Sequence, residues 1–195
     1  MTDSRTILIR YDEIGLKGKN RKFFENRLLG NVRKSLGGIG GIRVDKIHGR
    51  LLVRVAGLQA EECVRRLSCV PGIASLSVGV LVEPDFDEMA ALGVEWILPR
   101  LQASGSLKFC VRTKRSDKRF PSTSTEIDFE VGSRIMKPLA PKGLSVDITH
   151  AEFVLEIEIG PQETMVFDNR TPGLGGLPVG SSGEVLSLLS GGIDS

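Results

Sequence analysis

The sequence predicts an α+β protein: a split βαβ, ferredoxin-like unit, then a second mixed α/β unit. Three observations predict it. Over about the first 80 residues, segments of apolar period two and of period near 3.6 follow the order strand, helix, strand, strand, helix, strand. A fresh helix then starts after Glu83-Pro84-Asp85. The chain has 195 residues, 41% of them hydrophobic, enough for one large core or two small ones.

Thr6 to Arg10 (TILIR) reads as a short strand. A polar segment follows, with Gly15, Lys17, Gly18 and Lys19, and ends at Asn20, a favourable N-cap residue. The next helix covers about 21–36, with Phe24, Leu28, Val32 and Leu36 on one face, and a run of glycines at 37–41 stops it. Two strands, 42–47 and 50–55, flank His48-Gly49, a two-residue hairpin signal. A helix over about 58–67 turns its Ala60, Val64 and Leu67 inward. Pro71-Gly72 turns the chain into a strand whose Ala74, Leu76, Val78, Val80 and Val82 form one apolar face.

The second unit opens with a helix over about 86–101. A strand starts at Leu107, its Phe109 and Val111 alternating with Lys108, Cys110 and Arg112. Thr123 with Glu126 is a capping box for a helix whose Ile127, Val131 and Ile135 share a face. Pro138 and Pro141 are expected to end that helix. A strand over 151–159 sets Phe153, Leu155, Ile157 and Ile159 against Glu152, Glu156 and Glu158, and a hairpin at Gly160-Pro161-Gln162 leads to a last strand at 164–167. The expected domains are therefore 1–83 and 84–170, followed at 171–195 by a linker and the start of a further domain. The linker, RTPGLGGLPVGSSG, is either a spacer or a loop shaped for close approach.

Net charge is only +2, yet positive charge is concentrated. Between Arg10 and Lys34, eight basic residues stand against three acids, a net +5. Between Lys108 and Arg119, six stand against Asp117, again +5, so the rest of the chain sums to −8. Such asymmetry favours a polyanionic partner. The stronger candidate patch is Lys108, Arg112, Lys114, Arg115, Lys118 and Arg119, delivered by a strand end and loop onto a capped helix N-terminus suited to phosphate. Phe120 there reads either as a base-stacking residue or as a core plug under the loop. Lys17, Lys19, Arg21 and Lys22 form a second patch. Read alone, either patch is also compatible with a solvated surface.

The chain closes on an apolar run, Glu184 to Leu189, and then Ser190-Gly191-Gly192-Ile193-Asp194-Ser195. Two glycines after an apolar strand suit a nest of N–H groups around an anion, the serines add donors, and Asp194 is placed to brace the loop or help hold Mg²⁺. No Lys follows the second glycine, so this is not the G-x-x-x-x-G-K-[ST] loop. Cys63, Cys69 and Cys110 have no C-x-x-C or His spacing and read as small core residues in a reducing cytoplasm. There is no signal peptide and no membrane-length apolar run, so membrane association is not expected. His48 and His150 read as turn or surface residues.

Three motifs together, RYDEIGLKGKNRKFFE, KFCVRTKRSDKRFPSTSTEI and GLGGLPVGSSGEVLSLLSGGIDS, resemble the bacterial and archaeal tRNA 4-thiouridine synthetases, THUMP-containing tRNA sulfurtransferases linked also to thiamine biosynthesis. The resemblance implies a ferredoxin-like domain, then a THUMP domain, both gripping tRNA, and a PP-loop domain begun by SGGIDS. That domain would adenylate uridine at tRNA position eight with ATP and Mg²⁺, and persulfide sulfur from a cysteine desulfurase would replace the activated oxygen. It places Ser190, Gly191, Gly192, Asp194 and Ser195 around the ATP phosphates, with Leu188 and Leu189 beside the nucleotide. It puts the persulfide cysteines beyond Ser195, so this chain alone is expected to be inactive. A homodimer is compatible with the family. The alternative is a PP-loop ATP-binding or amide-forming protein whose basic patch recruits an acidic protein.

Overall fold

The computed structural model describes residues 4–47, 49–183 and Leu186. Among these residues, four α-helices cover one face of a single nine-stranded mixed sheet. The first half contributes β1 (Ser4–Arg10), α1 (Arg21–Ser35), β2 (Arg43–Ile47), β3 (Arg50–Ala56), α2 (Gly57–Leu67) and β4 (Ser75–Val82). The second contributes α3 (Phe86–Ser104), β5 (Leu107–Arg115), α4 (Ser124–Leu139), β6 (Leu144–Val146), β7 (Phe153–Ile159), β8 (Thr164–Phe167) and β9 (Thr171–Pro172). The strand order is β2-β3-β1-β4-β8-β7-β5-β6, with β9 pairing the start of β4.

The order within each half follows from apolar periodicity, but the join does not. β4 pairs with β1 on one side and with β8 on the other, in both cases antiparallel. The halves therefore share a continuous hydrogen-bonded ladder. Gly79 sits at this join, opposite Phe167, and a Cβ there would lie 2.2 Å from the Val166 carbonyl oxygen. Only glycine allows that approach.

Alternation along the strands sorts the residues by face. Ile7, Ile9, Leu51, Val53 and Leu76 pack under α1 and α2 with Leu28, Val32, Cys63 and Leu67. Phe109, Leu155, Ile157 and Val166 pack under α3 and α4 with Ile97, Ile127, Val131 and Ile135. Both cores lie on the same side, because β4 contributes Leu76 and Val78 to one and Val82 to the other. On the uncovered face Leu8, Leu52, Met165 and Phe167 form a third, small apolar cluster spanning the join.

Several expectations are corrected. Asn20 makes no side-chain cap; it lies within a 3-10 turn, Gly18–Asn20, so the chain is already helical before α1 begins. Pro138 does not end α4: the helix runs to Leu139, which is 1% exposed and held by the core. A 3-10 turn at Ala140–Lys142 follows, and Gly143, with φ +101°, stops it. α3 similarly runs through Pro99 to Ser104; its N-cap is Asp85, which accepts bonds from the backbone N–H groups of Asp87 and Glu88. Cys63 and Cys110 are buried as expected, but Cys69 is exposed. The capping box of Thr123 and Glu126 is present.

Candidate nucleic-acid interface

β5 carries side chains to both faces of the sheet. Phe109 and Val111 pack toward α4, so Lys108, Arg112 and Lys114 point to the uncovered face. Lys108 Nζ is 3.2 Å from Asp147, and Arg112 donates to the Ile148 carbonyl at 3.2 Å. Lys114 has neither an ion pair nor a hydrogen bond among the described residues, and it lines a concavity with Arg10 and Arg170. Arg115 belongs to the opposite face. It donates to the carbonyls of Phe120 and Ser122 at 2.7 and 2.8 Å, and so braces the loop instead of offering its charge.

That loop, 116–122, is held at both ends. The Ser116 N–H bonds the Ile159 carbonyl, and the Thr123 hydroxyl caps α4. Between these anchors Lys118 is exposed and unpaired among the described residues, while the exposed Arg119 pairs with Asp117 at 2.9 Å. Phe120 packs on the second core and meets Phe86 edge to face, with ring centroids 6.4 Å apart. Of the two readings of Phe120, the geometry matches the core plug.

The first-half patch divides in the same way. Lys19 and Lys22 are exposed, and Lys17 lies over the Phe24 ring at 5.5 Å. Arg21, expected to face a partner, instead lies 2.8 Å from Glu25. Glu25, buried beneath it, also receives Lys46 at 2.7 Å and the Tyr11 hydroxyl at 2.6 Å. Burial opposes the charge of Glu25, but the bonds from Lys46, Tyr11 and Arg21 outweigh it and hold the carboxyl at about 2. Burial, reinforced by the bond to Glu25, pushes the Tyr11 hydroxyl up to about 12.

Between the patches lies an arrangement that the sequence did not announce. Arg10 is 9% exposed; it pairs with the buried Glu158 at 3.0 Å, donates to Ser77 Oγ at 2.9 Å and stacks 4.9 Å over Phe167. Arg50 pairs with the other Glu158 oxygen, and Arg54 reaches Glu163 at 2.7 Å. Burial pulls the Arg10 guanidinium below its usual value against the raising effect of Glu158. Alternation assigns Glu158 to a solvated face; the arginines of the first half lie over it instead. The only sequence signal is an Arg that directly follows the apolar run Ile7-Leu8-Ile9.

Three concavities connect the two patches. One of about 560 Å³ is lined by Lys19, Lys22 and Lys46. The next, about 240 Å³, shares Lys46 and Ile47 with it and is walled by Arg50 and the 160–163 hairpin. The third, about 810 Å³, shares that hairpin and reaches Arg119. Lys19, Lys22 and Arg119 thus border one connected furrow, and Lys114 lines a separate concavity beside it. Among the described residues no cluster of His, Cys, Asp and Glu is arranged to hold a metal, and no helix is long and apolar enough to cross a membrane. The nucleotide-binding expectations, Leu188, Leu189, Ser190, Gly191, Gly192, Asp194 and Ser195, lie outside the described residues.

Comparison with known proteins agrees with this division into halves. Residues 6–77 match the ThiI ferredoxin-like domain family, and residues 83–167 match the THUMP domain family. The chain is a ThiI-type ferredoxin-like domain joined to a THUMP domain. A probable tRNA sulfurtransferase of Alkaliphilus oremlandii is 40% identical over 190 residues, covering 97% of this chain and 48% of the relative. One from Halothermothrix orenii is 39% identical over 194 residues, covering 98% and 48%. The chain therefore spans about half the length of these relatives. A crystal structure of a 4-thiouridine synthetase–RNA complex with bound ATP superposes with a TM-score of 0.74 at 35% identity, covering 98% of this chain and 47% of that one. The ThiI-type and THUMP halves lie within that shared extent.

Proposed function

We propose that this chain is the tRNA-gripping portion of an ATP-dependent tRNA sulfurtransferase that makes 4-thiouridine at tRNA position eight. The observation that carries it is the set of exposed cations that internal pairing leaves available, Lys114 and Lys118 on the THUMP side and Lys19 and Lys22 on the other, with a connected furrow running from Lys19 and Lys22 to Arg119. Phosphates spaced along an RNA backbone match such a row, and counterion release drives the binding. Lys108, Arg112 and Arg119 add charge that weak exposed pairs do not withhold. Arg115 and Phe120 act by holding the loop, and Lys17 and Arg21 by shaping the second patch.

In the whole protein, Ser190, Gly191, Gly192, Asp194 and Ser195 would hold ATP with Mg²⁺, beside Leu188 and Leu189, and ATP activates the uridine carbonyl by adenylation. Persulfide sulfur from a cysteine desulfurase then replaces that oxygen. Cys63 and Cys110 are unsuited to carry it, because burial pushes both thiols up. The protein works in the cytoplasm, as a homodimer in this reading, and the same sulfur chemistry serves thiamine thiazole synthesis.

The test is tRNA binding by the folded chain between 50 and 200 mM salt. Four to six phosphate contacts give a log–log slope of about −3 to −5. A folded chain indifferent to tRNA at low salt overturns the reading and favours a PP-loop ATP-binding or amide-forming protein with an acidic protein partner.

A further inference from the structure

The glycine-rich segment after β9 has the composition of a flexible linker, but it is hydrogen-bonded along its length to the first half. Pro172 and Thr171 sit opposite Ser75 and Leu76. Gly173 N–H donates to Ala74 O at 3.0 Å, Gly175 N–H to Ile73 O at 2.7 Å, and Gly72 N–H to Gly175 O at 2.7 Å. Further on, Asn31 of α1 donates its side-chain amide to Val179 O at 3.1 Å. The glycines are conformational requirements here. A Cβ on Gly173 would lie 2.2 Å from Ile73 O, and Gly175, Gly176, Gly180 and Gly183 have φ between +67° and +82°.

A segment pinned at these points leaves the ferredoxin-like half from a fixed position. A free Gly-rich segment of eleven residues would spread its ends over about 18 Å, whereas a reacting atom misplaced by about 1 Å loses roughly a hundredfold in rate. We infer that residues 171–181 are a rigid strap that positions the downstream catalytic segment against the ferredoxin-like half, with Gly173 and Asn31 as positioning residues. The inference rests on the functional reading above. It explains why the segment leaves the THUMP half and docks on the half that precedes it in sequence. In this arrangement the ferredoxin-like half relates the RNA-gripping face to the site of chemistry.

The experiment compares the full-length protein with its Gly173→Ala and Asn31→Ala variants. Three quantities are read: tRNA affinity, thiolation rate at saturating tRNA, and protease cleavage within 174–179. Expected are a tRNA Kd within about twofold of the parent, a kcat lower by roughly tenfold to a hundredfold, and faster cleavage of the strap at an unchanged unfolding midpoint. A structural defect would instead lower the midpoint and the affinity together. An unchanged kcat with accelerated cleavage overturns the inference. So does a parent strap cut as fast as an unfolded peptide, whatever the protein's activity. A parent protein that binds no tRNA but protects its strap sinks the functional reading and, with it, the positioning role.

Discussion

Two groups of cations, one over the uncovered face of the sheet and one along β5 and the loop that follows it, do different work. At the centre, Arg10 and Arg50 converge on Glu158 from another half of the chain, with the Phe167 ring beneath Arg10. Along β5 and its loop, Lys114 and Lys118 stand in solvent with no ion pair among the described residues. The residue types are nearly the same; what differs is burial and the presence of a fixed carboxylate. A buried guanidinium without a partner is too costly to keep, so the central arginines are committed to the fold. An exposed lysine keeps its hydration and its charge until a polyanion replaces the counterions. Charge counted along a sequence mixes these two populations.

The sharpest way to break the comparison is at Glu158. Glu158→Ala leaves Arg10 and Arg50 facing each other without a carboxylate, and its expected cost is about 3–5 kcal/mol, read from urea unfolding. A loss below about 1 kcal/mol would mean that the central pairs behave like surface ones. Next comes Glu25, whose carboxyl is held at about 2 from a usual 4.5. Its folded value is depressed, so its contribution is fully present above pH 4.5 and is lost as pH falls toward about 2. Screening by water limits that contribution to about 2 kcal/mol. The midpoint of the parent protein should therefore drop across this window more steeply than that of Glu25→Gln. Parallel acid limbs would show that Lys46, Arg21 and Tyr11 do not stabilise the folded state through this carboxylate.

The exposed set answers to a different measurement. Reversing Arg112 and Lys114 to Glu should weaken tRNA binding by roughly tenfold or more and reduce the salt slope by about one for each lost phosphate contact. The unfolding free energy should stay within about 0.5 kcal/mol of the parent. Unchanged affinity would move the interface away from β5.

Much of the fold was legible because period-two and period-3.6 patterns report which face is buried. The start of β7 and the capped start of α4 follow that rule closely, whereas β1 and β8 are buried on both faces because Leu8, Leu52, Met165 and Phe167 form a second cluster on the uncovered side. Contacts between distant segments were not legible. Nothing local to VLVEP says that β4 will take β8 as a second partner, and nothing in EIEIG says that Glu158 will meet Arg10, 148 residues away. Pro138 misled because tertiary packing around Leu139 outweighs the one helical bond that proline removes. The candidate site was legible as a charge density. Which charges stay available was not, since Arg115 and Arg21 turn to partners that only the folded chain supplies.

The smallest effect probes the loop that carries Lys118 and Arg119. Arg115 clamps its carbonyls from the strand side, and Thr123 with Glu126 clamps it from the helix side. Thr123→Ala removes one clamp and should cost about 1 kcal/mol of stability. If the loop serves only to hold two cations near phosphates, tRNA affinity falls by no more than about twofold, because point charges on long side chains tolerate a shift of loop backbone. If affinity falls much further while Arg112 and Lys114 are intact, the RNA is reading the shape of the 116–122 backbone as well as its charge. The division between committed and available groups would then have to be redrawn to place the loop's own N–H groups on the available side.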